Sequence, residues 1–343
     1  MRRLGIAEAL REGIRQEMAR DERVFCIGED IAIPGGWGGA FTVTLGLEKD
    51  FPDRMINTPI AENGFMGVAC GAALMGLRPI ADVQYSDFLF CAMDQVCNNV
   101  AKMRYMSGGK LTVPMVIRAP VGVTGRGSQH AQNMETFFMP LQGIKIVCPA
   151  TAYDALGLLR TAVRSDDPVM IFEHKLLYGS KGARAEGGAI DASSDIPDDD
   201  YIIPLGQAVV RKEGKDVTII GTLLMMHRAL QAAEQLEKEG ISAEVIDPRC
   251  LVPFDWETVG NSITKTGRVI TVEESPKRSG IGAEIMAVIL EKYSDCLKSP
   301  ARRIAAANVV VPFSPPLEKF YLPQVDDIVK ATMEIVQHTT TNA

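Results

Sequence analysis

Short apolar runs alternate with helical segments along most of this chain, and this alternation restricts the possible folds more than any other feature. Six runs in the first half have the length and composition of buried strands: residues 23–30, 54–58, 78–85, 113–119, 143–149 and 167–173. Helical segments follow several of them. Strands that alternate with helices form a parallel sheet whose faces the helices cover. The sequence therefore predicts an α/β fold.

Two helical segments are well marked by their residue spacing. Near the N-terminus an apolar residue recurs every four positions, at Ile6, Leu10, Ile14 and Met18. This spacing is typical of an amphipathic helix. Farther along, residues 87–106 are predicted to form one long helix, because Gly108 and Gly109 follow as a C-terminal signal.

The alternation is interrupted once. Between Ser180 and about Pro204, polar and acidic residues replace the apolar pattern, which indicates a linker or wrapping arm. Strands are then predicted at residues 216–221, 242–247, 268–274 and 303–310, with helices at 224–240 and from Gly280. A chain of 343 residues is long enough for about two domains. We predict a first domain over residues 1–185, a linker over 186–204 and a smaller α/β domain over 205–335.

The composition disfavours several classes of protein. A formal net charge of -7 argues against binding to nucleic acid, because phosphate binding requires a basic face. No apolar run approaches the roughly 18 residues of a membrane span. The seven cysteines form no Cys-x-x-Cys pair, and none of the four histidines has a second ligand at metal spacing. We expect a cytoplasmic protein that lies outside the membrane, without a disulfide framework or a transition metal held by protein ligands.

Three side chains that can carry chemistry lie at or after the carboxyl ends of predicted strands, namely Glu29, Glu62 and His130. Ligands of open α/β sheets bind outside the carboxyl ends of the strands. The sequence therefore predicts a cleft lined by these three side chains. Each has an ordinary alternative, since Glu29 and Glu62 could cap a loop or helix and a histidine in a glycine-rich loop is often a surface residue.

The helix after Glu62 is unusual because it contains three glycines, at positions 64, 67 and 71. A glycine weakens a helix interior by roughly 1 kcal/mol relative to alanine. Such a helix is expected to let another helix or a ligand approach its backbone closely. The alternative is ordinary packing between small residues.

Five motifs of this chain resemble those of the β subunits of the thiamine-diphosphate-dependent 2-oxo acid dehydrogenases. They lie at residues 57–64, 94–109, 128–130, 154–159 and 173–178. These subunits belong to the decarboxylating components of pyruvate, branched-chain 2-oxo acid and acetoin dehydrogenase complexes. The resemblance covers about residues 4–335. It implies a transketolase-like pyrimidine-binding domain followed by a transketolase C-terminal domain.

The resemblance also implies a divided active site. In the family two α and two β chains assemble, and thiamine diphosphate lies between α and β. The α subunit holds the diphosphate and Mg²⁺ through a Gly-Asp-Gly motif with a downstream Asn, which does not occur in this sequence. A dihydrolipoamide acyltransferase core then takes up the acyl group, and the C-terminal domain is implied as the surface that binds this core.

The resemblance assigns roles to individual side chains. Glu62 matches the glutamate that hydrogen-bonds the pyrimidine ring nitrogen and so promotes loss of the thiazolium C2 proton. Glu29 and Gln84 are expected near the pyrimidine, and Phe88 matches an aromatic side chain that packs against it, although its local pattern favours a buried core position. His130 matches the loop histidine that faces the substrate and handles protons in acyl transfer.

A structural potassium ion is a further implication of the resemblance. The expected ligands are oxygens of Met115, Ala162, Val163, Ser165 and Asp167. Ser165 departs from the family, in which an acid is usual at this position. The sequence therefore leaves the potassium site open.

The substrate is predicted to be small, either pyruvate or acetoin. Residues 173–178 and the loop at Trp37 resemble the acetoin branch, whereas residues 84–88 are closer to the branched-chain pattern. One alternative is therefore a branched-chain 2-oxo acid dehydrogenase β subunit. A second is half of a split transketolase or deoxyxylulose-phosphate synthase, although the scattered histidines disfavour a sugar-phosphate pocket. The third, from another class, is a flavin-binding electron-transfer subunit without catalytic residues.

Overall fold

The computed structural model describes residues 1–179 and 190–337, which form two compact units. The first unit comprises residues 1–122, 137–205 and 251–253. The second comprises residues 123–136, 206–250 and those from 254 onward. Neither unit is continuous in sequence. Segment 123–136 belongs to the second unit although residues of the first unit flank it in the chain, and segment 251–253 belongs to the first unit although residues of the second unit flank it. The predicted domain boundary at residue 185 lies outside the described residues.

The strands and helices follow one another in the order predicted, with several additional elements. The strands are β1 (Arg2–Leu4), β2 (Val24–Glu29), β3 (Met55–Thr58), β4 (Arg78–Asp82), β5 (Val116–Val121), β6 (Lys145–Val147), β7 (Val169–His174), β8 (Ser194–Ile196), β9 (Val209–Lys212), β10 (Val217–Gly221), β11 (Ala243–Asp247), β12 (Cys250–Val252), β13 (Val269–Pro276) and β14 (Arg302–Ala306). The α-helices are α1 (Ile6–Arg20), α2 (Leu47–Asp50), α3 (Glu62–Leu74), α4 (Met103–Met106), α5 (Glu135–Phe138), α6 (Ala152–Arg164), α7 (Leu223–Lys238), α8 (Trp256–Thr266), α9 (Ile281–Tyr293), α10 (Pro315–Tyr321) and α11 (Val325–Gln337).

The first unit is built on a seven-stranded sheet with the order β12-β6-β7-β5-β4-β2-β3. Neighbouring strands from β6 to β3 run parallel. In the register of the sheet Glu29 at the end of β2 pairs with Thr58 at the end of β3, and Gly28 pairs with Asp82 at the end of β4. The carboxyl ends of these three strands therefore meet at one edge. The predicted α/β architecture with a parallel sheet is confirmed.

Helices α1 and α6 pack against each other in the first unit. The periodic apolar residues of α1 are all buried, so the predicted amphipathic helix is confirmed. Gly13 lies at the contact, because a Cβ atom there would come within 2.8 Å of side-chain atoms of both Leu156 and Leu159. Full burial of a large aliphatic side chain contributes about 1.5–3 kcal/mol, so this pair of helices forms a substantial part of the core.

The prediction of one long helix over residues 87–106 was wrong. The segment consists of a 3₁₀-helix (Ser86–Ala92), a π-helix (Gln95–Val100) and the short helix α4. In the π-helical turn the N–H of Ala101 bonds to the carbonyl of Val96, five residues earlier. Residues 87–106 contain no glycine or proline that would mark a change in the type of helix. The predicted end of the helical segment near Gly108 is correct.

The second unit contains a five-stranded sheet with the order β14-β13-β10-β11-β9. Its strands are parallel except for β9, which runs antiparallel to β11 at one edge. Four elements of this unit were not predicted from the sequence, namely β9, α8, α10 and α11. In the described part of the interdomain segment, β8 pairs antiparallel with β1 of the first unit. Among the described residues, no helix combines the length and the apolar character that crossing a membrane would require.

Candidate active site

Glu29 and Glu62 occupy neighbouring positions at the carboxyl edge of the first sheet. Glu29 is the last residue of β2, and Glu62 is the first residue of α3, which follows the adjacent strand β3. Both side chains are buried, with 7% and 9% of their surfaces exposed. The parallel register brings the two chain segments to the same edge. The sheet therefore brings these two carboxyl groups to the same edge, and their role in an active site stays a prediction.

The electrostatics of Glu29 reflect this arrangement. Burial raises the pKa of Glu29 to about 7, and the nearby charge of Glu62 contributes in the same direction. A hydrogen bond from the backbone N–H of Ala61 opposes this shift. Oε1 of Glu29 has no hydrogen-bond partner among the described residues. A buried oxygen without a partner is costly, and it offers an acceptor to a ligand that carries an N–H group.

Gln84 connects the end of β2 to the glycine-rich loop around residue 39. Its Nε2 atom donates to the carbonyl of Glu29 at 2.8 Å, and its Oε1 atom accepts from the N–H of Ala40 at 2.7 Å. Both ends of the amide therefore contact the protein itself. These bonds fix the backbone on which Glu29 is carried. A direct contact between Gln84 and a cofactor stays a prediction.

A row of aromatic rings leads away from Phe88 in the first unit. The Phe88 ring is half-buried and meets Tyr85 edge-on, with 6.1 Å between ring centroids. Tyr85 meets Phe41 in the same way at 5.6 Å, and Phe41 stacks on Tyr178 at 5.0 Å. The local sequence pattern favoured a fully buried core position for Phe88. The structure leaves part of the ring accessible, which is compatible with contact to a planar ligand.

A buried charge network lies at the other end of this aromatic row. Arg118 donates to both carboxylate oxygens of Glu173 at 2.8 and 2.6 Å and to Asp82 at 2.6 Å. The hydroxyl of Tyr178 also donates to Glu173, at 2.6 Å. Burial raises the pKa of Asp82 to about 6, although the Arg118 guanidinium opposes the shift. The network thus joins three strands of the first sheet, β4, β5 and β7.

His130 lies in segment 123–136, which belongs to the second unit. It is half-buried, and its backbone N–H bonds to the carbonyl of Gly127 at 3.3 Å. Glu29, Glu62, Gln84 and Phe88 belong to the first unit. A common cleft formed by His130 and the two glutamates therefore stays a prediction.

The glycine-bearing face of α3 is open in this chain. A Cβ atom at Gly71 would meet no other atom within 4 Å, and one at Gly64 would meet only Ala61. At Gly67 the nearest contact is the side chain of Gln95, at 3.4 Å. Val68 and Met75 on the same helix face are also exposed. The expected close approach of a ligand or another helix is therefore not made by the described residues and stays a prediction.

The residues named as potassium ligands lie together around the end of α6, and their oxygens already have protein partners. The carbonyls of Val163 and Ser165 both accept from Nη1 of Arg78 at 2.9 Å. The carbonyl of Ala162 accepts from the N–H of Ser165, and that of Met115 accepts from Val169.

The carboxylate of Asp167 forms ion pairs with two basic side chains, Lys145 at 3.0 Å and Arg104. A potassium ion would have to share or displace these donors. A backbone carbonyl oxygen has two lone pairs and can accept a second contact, so the potassium site stays a prediction. Among the described residues, no group of three or more His, Cys, Asp or Glu side chains is arranged to hold a metal ion.

The chain matches two family models in succession. The transketolase pyrimidine-binding domain matches residues 3–181, and the transketolase C-terminal domain matches residues 206–328. The β subunit of the acetoin:2,6-dichlorophenolindophenol oxidoreductase of Cupriavidus necator is 42% identical over 98% of both chains. The 2-oxoisovalerate dehydrogenase subunit beta of Bacillus subtilis is 40% identical over 96% of this chain and 98% of its own.

The chain belongs to the β subunits of the acetoin, pyruvate and 2-oxoisovalerate dehydrogenases. This dehydrogenase β subunit also resembles a solved structure titled as a split-gene transketolase in an inactive β4 tetramer. The TM-score is 0.76 at 25% identity, covering 98% of this chain and 99% of the other. The dehydrogenase relatives are more similar in sequence than this transketolase. The predicted family, enzyme class and transketolase-like fold are therefore confirmed.

The charge network and most of the aromatic row of this β subunit were not predicted from the sequence. Neither Asp82 nor Arg118 was a candidate site residue, and no contact between Phe41 and Tyr178 was expected. One signal was available, because Arg118 is a charged residue inside an otherwise apolar strand. A buried charge requires a partner. The sequence does not show that its partners lie 36 and 55 residues away, at Asp82 and Glu173.

Proposed function

We propose that this β subunit supplies the half of the active site that binds the aminopyrimidine of thiamine diphosphate. The component would act on pyruvate or acetoin and pass the acyl group to a lipoyl group. The observation that carries the proposal is the pair of buried carboxyl groups, Glu29 and Glu62, at adjacent strand ends.

The residues at this edge fit an aminopyrimidine. The ring carries N–H groups, and Oε1 of Glu29 is a buried acceptor without a partner among the described residues. Phe88 offers a partly accessible aromatic face for packing against a planar ring. Bound thiamine diphosphate would supply a nucleophilic carbon and an electron sink for the loss of carbon dioxide.

Each residue of this chain then has a defined task. Glu62 would hold a proton at the ring nitrogen and thereby favour removal of the proton from the thiazolium carbon. The raised pKa of Glu29 would allow this carboxyl group to be neutral near pH 7, so that the two neighbouring carboxyl groups would not both carry a negative charge. Gln84 would keep Glu29 in place through the backbone. His130 would position the substrate or lipoyl group and move a proton during acyl transfer.

A partner chain is required by this proposal. An α chain would bind the diphosphate and Mg²⁺, with two α and two β chains in the assembly and an acyltransferase core as acceptor. The exposed apolar and glycine positions of α3 are available for such an assembly. The related split-gene transketolase is described as inactive in its β4 form. By analogy, this chain alone is expected to lack activity.

Pyruvate and acetoin are preferred as substrates, and the branched-chain 2-oxo acids are the alternative. The identities to acetoin and 2-oxoisovalerate dehydrogenase β subunits, 42% and 40%, are too similar to decide between these substrates. Potassium is left out of the proposed function because Arg78, Lys145 and Arg104 already contact the expected ligands.

The proposed function is tested by measuring activity of the chain alone and with its cognate α chain. The assay contains thiamine diphosphate, Mg²⁺ and an artificial electron acceptor, and the substrates are pyruvate, acetoin and branched-chain 2-oxo acids. Activity only in the mixture, and highest with pyruvate or acetoin, is the expected result. Activity of the single chain would overturn the divided site. A bound flavin spectrum without dependence on thiamine diphosphate would favour an electron-transfer subunit.

A further inference from the structure

The loop that carries His130 is attached to the rest of the second unit by two carboxylates. The backbone N–H of Val123 donates to Oε1 of Glu274 at 2.7 Å, and the N–H of Gly125 donates to Oε1 of Glu318 at 2.8 Å. Hydrogen bonds to an ionised acceptor are roughly twice as strong as those between neutral groups. These two bonds hold the segment that leads to His130.

The two carboxylates come from different elements of the second unit. Glu274 belongs to β13, which lies between β14 and β10 in the five-stranded sheet, and its side chain is 6% exposed. Glu318 belongs to α10 and is half-buried. The loop is therefore tied to both a strand and a helix.

Apolar contacts support the same attachment. Val123 and Ala131, which stand on either side of His130 in the chain, belong to one buried cluster with Ala306, Val311, Tyr321 and Leu322. Between them, the Phe313 ring lies against Gly127, where a Cβ atom would be only 3.2 Å from the ring. The His130 N–H closes a turn on the Gly127 carbonyl. The loop is therefore packed against the second unit at Val123 and Ala131, and also at Gly127 between them.

We propose that Glu274 and Glu318 are positioning residues for His130, because their carboxylates hold the backbone of the loop that presents its imidazole. This inference rests on the proposed role of His130 in acyl transfer. A displacement of about 1 Å in a catalytic group can reduce a rate roughly 100-fold. Loss of either carboxylate should therefore slow acyl transfer without changing the affinity for thiamine diphosphate.

The variants that test this are Glu318→Ala, Glu318→Gln, Glu274→Ala and Glu274→Gln. A glutamine oxygen can still accept the backbone N–H, so each Gln variant should partly rescue the corresponding Ala variant. Asp216→Ala is the matched control, because the half-buried Asp216 accepts the N–H of Ser242 at 2.8 Å in the same unit but away from the loop. If Glu274→Ala fails to fold, the Glu318 pair still provides the test.

Two measurements separate this inference from the proposed function. Hydrogen exchange of residues 123–131, followed by mass spectrometry on the full chain, needs neither a partner nor a cofactor. We expect about tenfold faster exchange in Glu318→Ala, a smaller change in Glu318→Gln and none in Asp216→Ala. In the assembled component, kcat for acyl transfer should fall by about 10- to 100-fold in Glu318→Ala, with unchanged cofactor affinity.

Unchanged exchange of residues 123–131 in both Ala variants would overturn the attachment. Equal loss of kcat in the Ala and Gln variants and in Asp216→Ala would indicate a general effect on stability and would also overturn the inference. Faster exchange with normal acyl transfer would retain the attachment but overturn the positioning role of Glu274 and Glu318, whereas the role of His130 itself is tested by His130→Ala.

Discussion

Glu29 ends strand β2 and Glu62 begins the helix after the adjacent strand β3, so that the charge of Glu62 helps to raise the pKa of Glu29. The relationship depends on the parallel register between β2 and β3. Two acids 33 positions apart in the chain become electrostatic neighbours because their strands end at one edge.

This relationship predicts how stability depends on pH. The pKa of Glu29 is about 7 in the folded chain and 4.5 as its ordinary value, so the folded state binds more protons between these values. Its contribution to stability is present below pH 4.5 and is lost as the pH rises through 7. The unfolding free energy of Glu29→Gln should therefore fall less between pH 5 and pH 8 than that of the unchanged chain.

Urea denaturation at several pH values measures this difference. Exposed Glu22→Gln serves as the control and should follow the unchanged chain. Burial also raises the pKa values of Glu135 and Glu273 to about 7. Both residues are present in every variant compared, so their contributions to the pH dependence of stability cancel. If the unfolding free energy depends on pH in the same way in Glu29→Gln and in the unchanged chain, the pKa of Glu29 is not raised by folding.

The Arg118 network predicts a large effect on stability. Arg118→Met would leave Asp82 and Glu173 buried without their counter-ion, which should lower the unfolding free energy by about 3–5 kcal/mol. Arg15→Met removes an exposed pair with Asp50 and should cost no more than about 1 kcal/mol. Urea denaturation compares the two variants. Similar values for both would mean that the buried network contributes little.

His130→Ala tests the separation of acyl transfer from cofactor binding. Loss of a proton-transferring side chain should reduce the rate of transfer to lipoyl groups by about 100- to 10,000-fold. The affinity for thiamine diphosphate should stay within about twofold, because the aminopyrimidine contacts are assigned to other residues. Single-turnover kinetics and a cofactor titration measure the two quantities. His227→Ala, a change in α7, is the control, and equal loss of transfer and cofactor affinity in His130→Ala would contradict the assignment.

The fold was predictable where the apolar runs are short and bounded by glycine, proline or acidic residues. β2, β3 and β10 are of this kind, and the carboxyl ends of β2 and β3 also led to Glu29 and Glu62. Helix α8 was missed although Asp255 caps its N-terminus and Gly267 ends it with a φ of 71°. Both signals were present in the sequence, so this omission did not reflect a lack of information.

Other features could not be read from local sequence. No glycine or proline within residues 87–106 marks the change from 3₁₀ to π-helical hydrogen bonding. The pairing of Arg118 with Glu173 depends on the order of strands in the sheet. The grouping of segment 123–136 with the second unit depends on distant partners such as Glu274. Contacts of this kind are set by tertiary packing rather than by neighbouring residues.

The most direct test of the central claim is the exchange rate of the thiazolium C2 proton of thiamine diphosphate bound to the assembled component. The rate is measured in deuterated water by rapid acid quench and NMR, for the unchanged chain and for Glu62→Gln. Glutamine cannot hold the proton that the ring nitrogen needs, so exchange should slow by about 100- to 10,000-fold while the cofactor still binds. Equal exchange rates with bound cofactor in both proteins would contradict the assignment of Glu62.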